Sequence, residues 1–99
     1  MNFLINAVAE TEFKEAVSYY NRELPGLGFE FALEISNTIE RIRKNPEAWT
    51  KLSKRSRRCM ANRFPYGIIY QIRKDHILII SIMHLHRHPD SWKQRDQHV

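Results

Sequence analysis

Ile77-Leu78-Ile79-Ile80-Ser81-Ile82-Met83 is a run of seven residues with a single polar side chain. It is too short for a buried helix and rich in β-branched residues, so it reads as a strand. Because it is apolar on both of its faces, it should be central in the sheet. Working upstream, Lys74-Asp75 predicts a tight hairpin turn. Before it, Ile68, Tyr70 and Ile72 alternate with Ile69, Gln71 and Arg73, as an antiparallel partner strand should. Phe64-Pro65-Tyr66-Gly67 predicts a turn, and the basic segment Arg57 to Arg63, with Cys59, Met60 and Ala61 inside it, predicts a further strand. Downstream, the chain turns polar after Leu85, and Pro89 ends any strand, leaving a short tail.

The first half has a different period. Asn2 to Ala7 alternates loosely and suits a short strand, and Asn6 can cap a following helix whose positive end carries Glu10 and Glu12. Phe13, Val17, Tyr20 and Leu24 step by four, three and four, which is one helical stripe. Leu24-Pro25-Gly26-Leu27-Gly28 interrupts it with turn chemistry. A second helix carries Phe31, Ile35, Ile39 and Ile42 on one face and stops at Asn45-Pro46. The short junction implies an antiparallel helical hairpin. The predicted fold is one α+β domain over residues 1–99, in the order β-α-α-β-β-β, with the hairpin packed on one face of a small, mainly antiparallel sheet.

Composition narrows the function. The single cysteine, Cys59, excludes an internal disulfide and fits a reducing cytoplasm. Met1 to Ala9 has no basic residue and no long apolar run, so no signal peptide is expected. No stretch approaches the ~20 apolar residues of a membrane span. Charge is unevenly divided. Residues 1–50 hold five Lys/Arg against eight Glu, a net of −3; residues 51–99 hold eleven Lys/Arg against three Asp, a net of +8. Such a directional field favours a polyanion or an acidic partner protein, whereas an evenly solvated surface would scatter its charges.

The densest basic run is Lys51, Lys54, Arg55, Arg57 and Arg58, with Arg63 beyond it. It can contact phosphates or acidic side chains, or it can be a solvated loop. No aromatic residue is interleaved, so it has no base-stacking platform of its own. His84 and Arg87 follow the apolar strand. A histidine there can exchange a proton near neutral pH and an arginine can grip a phosphate; equally, both can tie the tail to the sheet. His84, His86 and His88 stand at i, i+2 and i+4 and would share one face of a continuous strand. Pro89 argues that the strand has ended, and only Asp90 is at hand to join them, so neither a metal nor another cofactor is expected. Tyr70 and Tyr66 read as packing residues, Tyr19 as an exposed neighbour of the stripe, Trp49 and Trp92 as core seals, and Cys59 as a small buried strand residue.

Tyr19-Tyr20, Leu24-Pro25-Gly26-Leu27-Gly28-Phe29-Glu30-Phe31, Asn45-Pro46, Arg57-Arg58, Phe64-Pro65-Tyr66-Gly67-Ile68-Ile69-Tyr70 and His84-x-x-Arg87-x-Pro89-x-x-Trp92 with Arg95 follow one another along the whole chain. In this succession the sequence resembles the RelE/ParE superfamily of bacterial toxins, and the ParE-like "plasmid stabilisation" branch in particular. The resemblance implies a cytoplasmic toxin of a type II toxin–antitoxin pair, held inactive by a cognate antitoxin, and it allows a toxin–antitoxin hetero-oligomer. ParE-like members block DNA gyrase without being enzymes; RelE-like members cut messenger RNA in the ribosome. RelE-like catalysis leans on a basic cluster and a tyrosine near the C-terminal end, and here no tyrosine follows Tyr70. The leading reading is therefore a target-binding toxin, with Lys51, Lys54, Arg55, Arg57, Arg58 and Arg63 as the nucleic-acid- or target-binding residues and Tyr19, Arg57 and Arg58 meeting the antitoxin. The alternative is an RNA endonuclease using His84, Arg87 and Tyr70. A third reading is an inactive module that grips an antitoxin and poisons nothing.

Overall fold

In the computed structural model, which describes residues 1–87 and 90–98, the apolar run lies in strand β5 (His76–His84), and both edges of that strand are used. On one side it pairs antiparallel with β4 (Tyr66–Ile72), with Ile72 opposite Ile77 and Tyr66 opposite His84. On the other side β1 (Asn2–Ile5) lies parallel to it, with Phe3 opposite Ile77. Beyond β4 come β3 (Ser56–Met60) and a two-residue edge strand β2 (Thr50–Lys51), both antiparallel. The sheet order is β1-β5-β4-β3-β2. Helices α1 (Ala7–Glu23) and α2 (Leu27–Lys44) pack on one face of it. This is the α+β fold expected from the sequence.

Two buried layers explain why β5 is apolar on both faces. Toward the hairpin, Ile77, Ile79 and Ile82 join Ile68, Tyr70 and Cys59 against Phe31, Ile35, Ile39 and Ile42 of α2. Toward the other face, Ile80 and Met83 meet Ile69 and Trp92. Each fully buried isoleucine contributes on the order of 1.5–3 kcal/mol through apolar burial. A β-bulge serves both layers. The register shifts between Ile69 and Tyr70, which face Ser81 and Ile79, so Ile80 is an extra residue and re-aims the strand beyond it.

The helical hairpin follows its sequence signals. Asn6 Oδ1 accepts from the Ala9 N–H at 2.9 Å, closing the N-terminus of α1. At the junction Gly26 takes φ 91°, a conformation that disfavours a side chain. Two residues on, Gly28 allows α2 to close against α1: a Cβ there would stand 2.5 Å from the Val17 carbonyl oxygen. Asn21 Oδ1 accepts from the Gly28 N–H at 2.8 Å and fixes that approach. The Lys74-Asp75 turn is closed by the Arg73 N–H donating to the His76 carbonyl at 2.8 Å.

Several local expectations need correction. The predicted strand Arg57 to Arg63 is Ser56–Met60, because the chain must leave the sheet at Ala61 to make the turn before β4. That turn ends at Pro65; Tyr66 and Gly67 already belong to β4. The basic run is not a free loop, since β2 pairs with β3 inside it, Lys51 opposite Arg57. Leu24 leaves the α1 stripe and is 57% exposed; the wholly buried positions of α1 are the small residues Ala9 and Ala16, which let the helix sit close to the sheet. The tail is a helix, α3 (Trp92–His98), and Trp92 covers the second sheet face. Among the described residues no helix is long and apolar enough to cross a membrane.

Candidate functional site

The expected site residues divide between two places. The first is a cleft of about 210 Å³ where α1 meets the end of β5, lined by Glu12, Tyr19, Tyr66, His84 and Arg87 among others. The antiparallel register brings Tyr66 opposite His84, and their rings meet edge-on at 5.3 Å. The Arg87 guanidinium lies over the Tyr19 ring, 5.2 Å from its centroid. Burial, then the neighbouring Arg87 and His86, hold the His84 imidazole below its ordinary pKa. Its Nδ1 accepts from the His86 N–H at 3.1 Å. In that arrangement a neutral ring carries its proton on Nε2 and has no free lone pair. Burial, followed by the neighbouring Tyr20, raises the Tyr66 phenol.

Glu12 anchors the floor of this cleft, a role its place in the sequence did not announce. Its carboxylate accepts from Arg95 Nη1 at 2.8 Å, the Ile82 N–H at 3.0 Å and Ser81 Oγ at 3.2 Å. Arg95 also donates to the Ile80 carbonyl at 3.1 Å. β1 ends opposite Ile79, and beyond it a side chain from each of two helices bonds the backbone of β5, Glu12 at the Ile82 N–H and Arg95 at the Ile80 carbonyl. The available signal was a carboxylate three residues after Ala9 and four before Ala16, on the buried side of α1.

The second place is a concave basic surface of about 380 Å³ where the β2–β3 turn meets the end of β4. It gathers Lys51, Lys54, Arg55 and Arg57 with Gln71, Ile72 and Arg73. Arg57 Nη1 donates to the carbonyls of Glu47 at 2.9 Å and Trp49 at 3.0 Å, and Arg73 Nη2 donates to Gln71 Oε1 at 2.7 Å. Both guanidiniums are thereby held in place. Behind them Asp96 accepts from Ser53 and Ser56. Burial would raise its pKa, but these hydrogen bonds, that from Gln71 and the charge of Arg55 outweigh burial and hold it low.

The remaining expected residues lie elsewhere. Arg58 is on the opposite face of β3 from Arg57, its stem over Gly67 and its Nε buried without a hydrogen-bond partner among the described residues. Arg63 pairs with Glu30 at 2.7 Å near the start of α2. Tyr70 is fully buried in the hairpin-side core, and its hydroxyl donates to the Pro46 carbonyl. Burial pushes its pKa up to about 12, against the lowering charge of Arg57. It lines neither place. His84 and His86 have ring centroids 5.8 Å apart, while His88 and Pro89 lie outside the described residues. Among the described residues no group of three or more His, Cys, Asp or Glu could hold a metal ion. Cys59 is buried in β3 as expected, and burial raises its thiol despite Arg41 nearby.

Residues 4–89 match the family described as "ParE toxin of type II toxin-antitoxin system, parDE". No curated protein matches the chain. A solved structure described as "Chromosomal ParDE TA system from P. aeruginosa" is similar in fold, with a TM-score of 0.75 at 12% identity, over 85% of this chain and 95% of that one.

Proposed function

The chain belongs to the ParE toxin family of type II toxin–antitoxin systems, and from that premise we propose that it poisons its host by binding a target rather than by catalysis, with DNA gyrase as the target and a cognate antitoxin as its inhibitor. It acts in the cytoplasm, where such a target lies. One observation carries the non-catalytic reading: the groups that RNA cleavage would require are apart. His84 and Arg87 share one cleft, Lys51, Lys54 and Arg57 another, and Tyr70 is sealed in the core with its phenol protonated at neutral pH. Cleavage through a 2′-hydroxyl needs a base within hydrogen-bond reach of that hydroxyl and cations at the same phosphate. His84 has its Nδ1 lone pair occupied by the His86 N–H.

An antitoxin would find two kinds of surface. Phe29 and Leu33, one helical turn apart on α2, are 76% and 63% exposed and offer apolar contact. Tyr19, Arg57 and Arg58 offer polar contact, although Arg57 already serves Glu47 and Trp49.

The second reading is ribosome-dependent mRNA cleavage. The meeting of His84, Arg87 and Tyr66 in one cleft favours it. Controlled expression in a bacterial host separates the two. Growth should stop while cellular messenger RNA stays intact by primer extension, and co-expression of the small protein encoded beside the toxin should restore growth. Fresh cuts in messenger RNA within minutes of induction would overturn target binding in favour of the ribonuclease.

A further inference from the structure

The basic concavity between the β2–β3 turn and the end of β4 has a composition that selects its ligand. Among the described residues five cationic side chains line it, Lys51, Lys54, Arg55, Arg57 and Arg73, and no carboxylate does; Asp96 lies behind it, held by Ser53 and Ser56. We infer that this surface is a binding site for the phosphodiester backbone of duplex DNA. Three features of the lining point there.

The first is the division of labour among the cations. Arg57 and Arg73 are fixed by protein acceptors, so their remaining N–H groups are presented without further ordering cost. Lys51 and Lys54 are exposed, and their side chains make no hydrogen bond or ion pair among the described residues. Guanidiniums held by protein acceptors, flanked by ammonium groups without such acceptors among the described residues, suit successive phosphates, which require charge and tolerate variation in position.

The second feature excludes an acidic peptide as the preferred ligand. Specific protein partners are held by buried apolar or aromatic anchors. Among the described residues Ile72 is the one apolar side chain in the lining, and the large exposed apolar side chains Phe29 and Leu33 belong to α2. The third feature separates duplex from single strand. Sequence-tolerant single-strand binding uses aromatic rings for stacking, and among the described residues no aromatic lines this surface. Duplex DNA compensates with charge density, about one negative charge per 1.7 Å of helix axis.

Binding of this kind is independent of base sequence and falls with salt. The site is read from its own lining and stands whether or not gyrase is the target. A chain that binds duplex but leaves gyrase active keeps the site and loses the target.

Fluorescence anisotropy with a short fluorescein-labelled duplex of mixed sequence tests it, over a salt titration, with the same single strand and a poly-glutamate peptide as competitors. The duplex should compete best. In K51Q/K54Q the slope of log K against log salt should become shallower by about 1.8, or 0.9 for each phosphate no longer neutralised. R73Q should weaken duplex binding, while K14Q/R22Q, on exposed positions of α1, should leave it unchanged. All these positions lie outside the buried core, and equal melting temperatures will show that the variants are folded. No duplex binding at low salt, tighter binding of the single strand or the peptide, or a slope indifferent to Lys51 and Lys54 would overturn the assignment.

Discussion

Glu12 and Arg95 meet at 2.8 Å across the end of β5, joining the first helix to the last over a separation of 83 residues. The pair closes on the β-bulge at Ile80, and its side chains are only 22% and 18% exposed. It therefore ties three elements together at the floor of the His84–Arg87 cleft.

Removing one partner should cost more than removing both. Arg95→Ala leaves the Glu12 carboxylate and the Ile80 carbonyl short of a donor, and a drop of about 1–3 kcal/mol is expected. Urea unfolding of Arg95→Ala, Glu12→Gln and the double variant measures the coupling. Additive losses would mean that the two side chains do not stabilise each other.

Asp96 makes the docking of α3 sensitive to acid. Its folded-state pKa is depressed, because hydrogen bonds from Ser56, Ser53 and Gln71 and the charge of Arg55 outweigh burial. The stabilisation is complete above the unfolded value of about 3.9 and is lost as pH falls through the lower folded value. Trp92 fluorescence in a Trp49→Phe background should therefore change in acid before the sheet unfolds by circular dichroism. In Asp96→Asn that early acid change should disappear.

At the hairpin junction, Gly28→Ala places a methyl group against the Val17 carbonyl and the Asn21 amide. Overpacking of this kind costs typically about 1–3 kcal/mol, occasionally more. For a domain near 100 residues that lowers the melting temperature by roughly 4–8 °C per kcal/mol. An unchanged melting temperature would show that the helices are not in close contact there.

His84→Ala distinguishes a cleft residue that packs from one that reacts. Its ring meets Tyr66 and accepts one exposed backbone hydrogen bond, so a loss of about 0.5–1.5 kcal/mol is expected. Toxicity should fall only as far as the folded protein does. A fully folded His84→Ala that had lost an RNA-cutting activity present in the parent would establish the ribonuclease.

The periodic elements were legible in the sequence because their signals are local. Ile77 to Met83 needed only its own composition to be placed inside a sheet, and Phe31, Ile35, Ile39 and Ile42 needed only their spacing. The elements missed depend on distant partners. β2 has two residues and exists because Thr50 and Lys51 find Arg58 and Arg57 across a turn. α3 is polar but for Trp92, and is held by Glu12, Ser53, Ser56 and Gln71 from other elements. The candidate residues divided similarly. Four neighbours in the chain, Lys51, Lys54, Arg55 and Arg57, do share one surface. Arg73 joins them only because β4 runs beside β3, and adjacent Arg58 leaves them because alternate strand residues face opposite ways.

The proposal that the chain binds its target without catalysis is tested most directly with purified protein. The chain is added to DNA gyrase and relaxed plasmid in one tube, and to translating ribosomes with a defined messenger RNA in another. The expected result is inhibited supercoiling with uncut message, abolished by prior addition of the antitoxin. Unimpaired supercoiling together with cleaved message would contradict it.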